Sequence, residues 1–177
     1  MWWKERRIPV VILTAVAVVG LLLAGSTLWR SQRWQMPLER AFGEMPGVVD
    51  ARVTVRANEV IAYAHLAPGQ DLRAVWTELQ DISRRTLGEQ PFRLVIVDNP
   101  SAELASCWEG MSFIIYEGLA TGRLTEMRER ALALARQSGV DCTLQVDDHA
   151  VYVSLQQGDH WLYQVCPWTA SLGGEPR

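Results

Sequence analysis

Residues 46–66 read PGVVDARVTVRANEVIAYAHL. Val49, Ala51, Val53 and Val55 alternate with Asp50, Arg52, Thr54 and Arg56. After Ala57-Asn58-Glu59, which reads as a tight turn, Val60, Ala62, Ala64 and Leu66 alternate with Ile61, Tyr63 and His65. A period of two places one set on each face of a strand. The spacing therefore predicts a hairpin with one apolar face to bury and one face turned outward.

The flanking sequence supplies the cover. Upstream, Pro37 opens a short helix with Leu38, Ala41, Phe42 and Met45 on one side, closed by Pro46-Gly47. Downstream, Pro68-Gly69 breaks the strand and Asp71 is placed to cap a helix. Leu72, Val75, Leu79, Ile82 and Thr86 recur at three/four spacing and predict an amphipathic helix ending near Gly88. Phe92-Arg93-Leu94-Val95-Ile96-Val97 is apolar at almost every position, the pattern of a strand covered on both faces, and Asp98-Asn99-Pro100 ends it. The order α-β-β-α-β over residues 35–99 predicts a small α+β layer sandwich.

Residues 100–168 predict a second module, ααβββ. Pro100 follows Asn99 as a capping residue, and Leu104, Cys107 or Trp108, Met111, Ile114 or Ile115 and Gly118 mark a long helix. Within it, Phe113-Ile114-Ile115-Tyr116 predicts burial on more than one side. Gly122 separates a second helix with Thr125 as its cap, the stripe Leu124, Met127, Ala131 and Leu134, and Gly139 past its end. Three short alternating runs follow. They are Val140, Cys142, Leu144 and Val146; then Val151, Val153 and Leu155; then Trp161, Tyr163 and Val165. Turns at Asp147-Asp148-His149 and Gln157-Gly158-Asp159 join them into a meander. Pro167 onward reads as a frayed end, with residues 169–177 a flexible tail. The two modules echo one another as helix, glycine, hairpin, with a tyrosine (Tyr63, Tyr152) in each second strand.

The segment LERAFGEMPGVVDARVTV, followed by a hairpin, an amphipathic helix and a last strand over residues 38–97, resembles ring-building-motif domains. These occur in type III secretion and flagellar basal-body ring proteins and in sporulation proteins. The step that carries the likeness runs from Pro46 to Val55, a Pro-Gly-Val turn into an A-x-V-x-V strand. The resemblance implies a membrane-tethered domain that packs beside copies or relatives of itself, without catalysis. Residues 100–177 have no counterpart in that pattern.

Residues 8–29 hold no charged side chain and are dominated by Val, Leu, Ile and Ala. About 20 helical residues cross a hydrocarbon core of roughly 30 Å. Trp2 and Trp3 precede the run and Trp29 and Trp34 lie at or after its end, so half of the eight tryptophans fall at the two headgroup levels. Arg6 and Arg7, with Lys4, stand before the run and Arg30 after it. So short a basic tail is most simply left in the cytoplasm. The expectation is a cytoplasmic tail and transmembrane anchor over residues 1–34, a single-pass protein of the cell membrane, and an extracytoplasmic C-terminal region. The competing reading is a cleaved signal peptide, since Ala24-Gly25-Ser26 has a cleavage-site look. The apolar run, however, exceeds the usual core of about 7–15 residues.

Charge and chemistry exclude several functions. The first 33 residues carry 5 bases and 1 acid of the chain's 17 and 20, which leaves an acidic body. Nucleic acid, which calls for a basic surface, is therefore not an expected partner. Cys107, Cys142 and Cys166 have no C-x-x-C spacing, so a disulfide scaffold or zinc ribbon is excluded. Cys142 reads as a core-facing strand residue, and one bridge involving Cys142 or Cys166 stays open for an exported chain. His65, His149 and His160 have no metal-ligand spacing. Asp147, Asp148 and His149 would reach Asp159 and His160 only if two successive hairpin turns met. Phosphate-binding glycine loops and a G-x-S-x-G elbow are missing from the sequence, and no cofactor is expected.

What remains is surface. Ile61 and Tyr63 are apolar on the predicted outward face of the hairpin. They mark either a contact surface or a seat for the long helix of the second module. Arg84 and Arg85, with Arg73 and Arg93, form a modest basic set suited to an acidic partner. The expected partners are the lipid bilayer and either a second copy or another protein of a membrane complex, such as an envelope or sporulation assembly. The alternative is a membrane-tethered ligand sensor or enzyme with its site between the two modules.

Overall fold

The structure is a computed structural model that describes residues 35–56 and 59–168. The predicted span, and with it Trp2, Trp3, Arg6, Arg7, Trp29, Arg30 and Trp34, lies outside the described residues, as do residues 57–58 of the hairpin turn and the tail 169–177. No helix among the described residues is long and apolar enough to cross a membrane. The class is α+β, with four helices and two three-stranded sheets among the described residues.

In the first module, α1 (Met36–Gly43) leads into β1 (Val48–Arg56) and β2 (Glu59–Leu66), then α2 (Leu72–Leu87) and β3 (Phe92–Val97). The strands lie in the order β1-β2-β3, with β1 antiparallel and β3 parallel to β2. Gly47 makes the turn into β1 with φ +90°, a conformation that L side chains rarely adopt. Asp71 caps α2 as expected, its carboxylate accepting the N–H of Ala74 at 3.0 Å. Leu72, Val75 and Leu79 are buried, and Ser83 joins them by donating its hydroxyl to the Leu79 carbonyl at 2.8 Å. They pack with Leu38 and Phe42 of α1 on Val53, Val60, Ala62, Ala64 and Leu66.

Two strand expectations change. Val49 does not join the inward set: it is 72% exposed, and Val48 packs against the core instead. The register explains it, since Val48 pairs with Leu66 and Asp50 with His65, leaving Val49 as a bulged extra residue. Nor is β3 covered on both faces. Leu94 is buried, and Phe92 and Ile96 pack on the same core, but Val95 and Val97 belong to neither hydrophobic core.

In the second module, α3 (Ala102–Thr121) and α4 (Leu124–Gln137) precede β4 (Asp141–Val146), β5 (Ala150–Gln157) and β6 (His160–Pro167), an antiparallel meander in the order β4-β5-β6. The helix starts differ from the expected ones. Ser101, not Asn99, caps α3 by accepting the Leu104 N–H at 3.2 Å, while Asn99 pairs with Trp161 in a single β-bridge. Thr125 lies inside α4, whose cap position is Arg123. Pro167 is not frayed: it pairs with Ala150, and Trp168 donates its backbone N–H to His149 and its indole N–H to the Asp147 carbonyl.

The second sheet is buried from both sides. Val151, Val153, Leu155, Leu162 and Cys166 pack with α3 and α4. Ala150, Tyr152 and Tyr163, with Trp161 and Val165 beside them, join the core of the first module. The two modules therefore share a hydrophobic core. The echo between them stops at the hairpin, because the third strand joins in parallel in one sheet and antiparallel in the other.

Candidate interaction surface

The register of the first sheet lays its outward side chains in rows. Thr54, Ile61 and Arg93 stand abreast, then Arg52, Tyr63 and Val95, then Asp50, His65 and Val97. Because α1 and α2 pack on the alternate residues, this face receives neither helix. Ile61, Tyr63, Val95 and Val97 run across it as an apolar stripe that belongs to neither core. Ile61 in the middle strand is only 8% exposed, whereas Tyr63, Val95 and Val97 are half-buried.

Charge frames the stripe. Arg93 grips Glu59 with both ends of its guanidinium fork, Nε to Oε1 at 3.2 Å and Nη2 to Oε2 at 3.0 Å. Arg52 lies 3.5 Å from Asp50. Such exposed pairs contribute about 0–1 kcal/mol each, so their role is to order the rim rather than to stabilise the fold.

Of the residues singled out from sequence, Ile61 and Tyr63 do sit together on this face. Helix α3 does not seat on them, since its buried residues Leu104, Cys107, Met111, Ile115 and Gly118 face α4 and the second sheet. Arg84 and Arg85 are exposed on α2, across the sheet from Ile61 and Tyr63, and Arg93 projects from the opposite face to theirs. The four arginines therefore do not form one basic patch.

One exposed feature escaped the sequence reading. Phe113 is 78% and Tyr116 57% exposed, on the outward flank of α3. Their apolar character had indicated burial, and the helix is instead buried along one stripe only.

Elsewhere the chemistry is sparse. Among the described residues no group of three or more His, Cys, Asp or Glu side chains could hold a metal ion. The Asp147–His149 and Gly158–Asp159 turns lie at opposite ends of β5, as the meander requires. All three cysteines are free thiols. Burial and the neighbouring Cys107 push the Cys142 thiol up to about 11, and burial also raises Cys166, so neither is poised as a thiolate nucleophile. An open groove of about 620 Å³ runs between α2 and Asp147, where the modules meet. Its walls oppose Arg73 and Arg85 to Glu78, Asp81 and Asp147, a mixed set with no concentrated charge of one sign. Set against known protein families, curated proteins and solved structures, the chain shows no match.

Proposed function

We propose that the protein is a single-pass membrane-anchored assembly component whose extracytoplasmic α+β region binds a second copy or another membrane-complex protein without catalysing a reaction. The observation that carries this reading is the face of the first sheet that neither α1 nor α2 covers. An apolar stripe of Ile61, Tyr63, Val95 and Val97, outside both cores and framed by ordered ion pairs, is what a protein contact surface requires. The charge-free run at residues 8–29, with tryptophans at both ends, supports the tether. The αββαβ order of the first module, with both of its described helices on one sheet face, agrees with the likeness to ring-building domains.

The test is the mass of the full-length chain in mild detergent, together with reporter fusions at its C-terminus. The expected result is an assembly larger than one chain that Tyr63→Arg shifts to the single chain without changing the circular dichroism spectrum. A wild-type protein that stays single, or a C-terminus reporting from the cytoplasm, would overturn the proposal.

A further inference from the structure

β4 is an outer strand of the second sheet, and a groove runs along it. The other outer strand, β6, is engaged at its edge: the Asp98 carboxylate accepts the Tyr163 N–H at 3.3 Å, and Asn99 bridges to Trp161. At β4 the ladder fixes which backbone groups point outward. Asp147 donates its N–H to the Ala150 carbonyl at 3.1 Å, and bonded pairs alternate along an antiparallel ladder. Gln145, Thr143 and Asp141 therefore bond to β5, and the N–H and C=O groups of Cys142, Leu144 and Val146 point away from the sheet. Among the described residues nothing hydrogen-bonds to that outer row.

Helix α4 forms the far wall of the groove. Val140 to Leu144 line it in unbroken succession, so it follows the edge of the strand rather than one face, and its volume is about 430 Å³. Arg128, Leu132 and Arg136 stand in one row along the helix and face it. Arg123 and Arg130 on the same helix are paired with Glu126 and Glu117, whereas Arg128 and Arg136 have no ion-pair partner among the described residues. One acid, Asp141, lines the groove. Alternation sets its side chain on the opposite face of the strand from Cys142 and Leu144, which pack toward the helices.

An unpaired strand edge takes up an extended chain through main-chain hydrogen bonds, while the side chains beside it give selectivity. Arg128 and Arg136 are separated by about 12 Å along the helix axis. Four residues of strand span about 13 Å, and residues i, i+2 and i+4 face the same way. We infer that the β4 edge is a docking site for an extended acidic peptide of a partner protein. Carboxylates at i and i+4 meet Arg128 and Arg136, and an apolar residue at i+2 rests on Leu132. No two acids of this sequence stand four residues apart, so a second copy does not supply the segment. The site lies on the second sheet and does not depend on self-association through the first.

The probe is the end-blocked heptapeptide TETVTET, titrated against the full chain in mild detergent and followed by hydrogen exchange. Binding is expected to slow the amides of Cys142 and Leu144 and to leave Thr143 and Gln145, already bonded to β5, unchanged. Arg128→Gln with Arg136→Gln replaces two exposed side chains by one of similar helix preference. The pair should weaken binding by at least about fivefold, the loss of two exposed charge contacts. TETVETT, which turns its second carboxylate to the other face, should weaken by a similar factor, and TKTVTKT should not bind. Tyr63→Arg should bind the peptide as wild type does, so failure here leaves the assembly reading standing. Absence of TETVTET binding, or binding without slower exchange at Cys142 and Leu144, would overturn the inference. Slow exchange at those two amides before any peptide is added would overturn it too, because another segment of the chain or a second copy would then already fill the edge.

Discussion

Gly118 and Gly110 both lie inside α3, and both face α4, but they meet it differently. A Cβ at position 118 would overlap the Cβ of Met127, an atom fixed to the α4 backbone, whereas at 110 it would come 3.3 Å from the terminal Cδ2 of Leu134, which can swing away. Gly118→Ala should therefore destabilise by about 1–3 kcal/mol through overpacking. Gly110→Ala should be neutral or stabilising by up to about 1 kcal/mol, the helix preference of Ala over Gly. Urea unfolding of the two variants checks the contrast. Asp147 offers a residue-scale test of pH. Burial pushes its carboxyl up, but the N–H groups of His149 (2.8 Å) and Ala150 (2.9 Å) and the Tyr152 hydroxyl (2.8 Å) outweigh that and hold it below its usual 3.8. A carboxylate depressed on folding adds stability that is complete above its unfolded value and is lost as pH falls through the folded one. Asp147→Asn should cost roughly 1 kcal/mol at pH 7, the difference between hydrogen bonds to a charged and to a neutral acceptor. The gap between variant and wild type should close as unfolding is measured at successively lower pH below 3.8.

At the scale of elements, β1 is an edge strand and an edge invites unwanted pairing. Helix α1 guards its centre. Glu39 accepts the Val53 N–H at 2.8 Å and the Gln35 amide donates to the Val53 carbonyl, so one full rung of the edge is satisfied by side chains. Glu39→Ala should expose that N–H, and exchange of the Val53 amide should quicken by roughly tenfold or more, since a hydrogen bond to a charged acceptor is worth about 1.5–3 kcal/mol. Unchanged exchange would mean that the guard is ornamental. The elements themselves were largely legible. Alternation placed Val60, Ala62, Ala64 and Leu66 inward, and Asp71 with Leu72, Val75 and Leu79 marked α2, because each pattern answers to one periodicity and one cover. Where reading failed, an apolar residue had more than one possible destination. Val95 and Val97 in β3, and Phe113 and Tyr116 in α3, carry the sequence pattern of buried residues. Hydrophobicity records a preference for leaving water, not whether the covering group belongs to the same chain.

For the molecule as a whole, the shared core is the part least visible in the sequence. β5 and β6 alternate apolar with apolar, Ala150 and Tyr152 against Val151 and Val153, which signals burial on both faces without naming what lies beyond the second. What lies there is the first module. The Tyr163 hydroxyl reaches the Ala67 carbonyl at 3.4 Å, the Gln145 amide donates to Asp71 at 3.1 Å, and Asn99 bridges to Trp161. A single core predicts a single unfolding event. Tyr163→Ala should lower stability by about 3–5 kcal/mol, the usual cost of deleting a buried aromatic. Tryptophan emission from α2 (Trp76) and α3 (Trp108) should be lost in one coincident transition, in the variant as in wild type. Separate transitions would show two independent domains.

The bulge at Val49 sets how this chain tolerates changes in length. Val48 already opposes Leu66 and Asp50 already opposes His65, so deleting residue 49 closes a gap without moving either partner. Deleting Val53, Thr54 or Val55 would instead reverse the facing of the segment between the bulge and the deletion, turning Asp50 and Arg52 toward the core that holds Leu38 and Phe42. Shortening is cheap beside the bulge and ruinous further along β1, because the one spare residue can absorb a lost position only where nothing inward-facing has to shift.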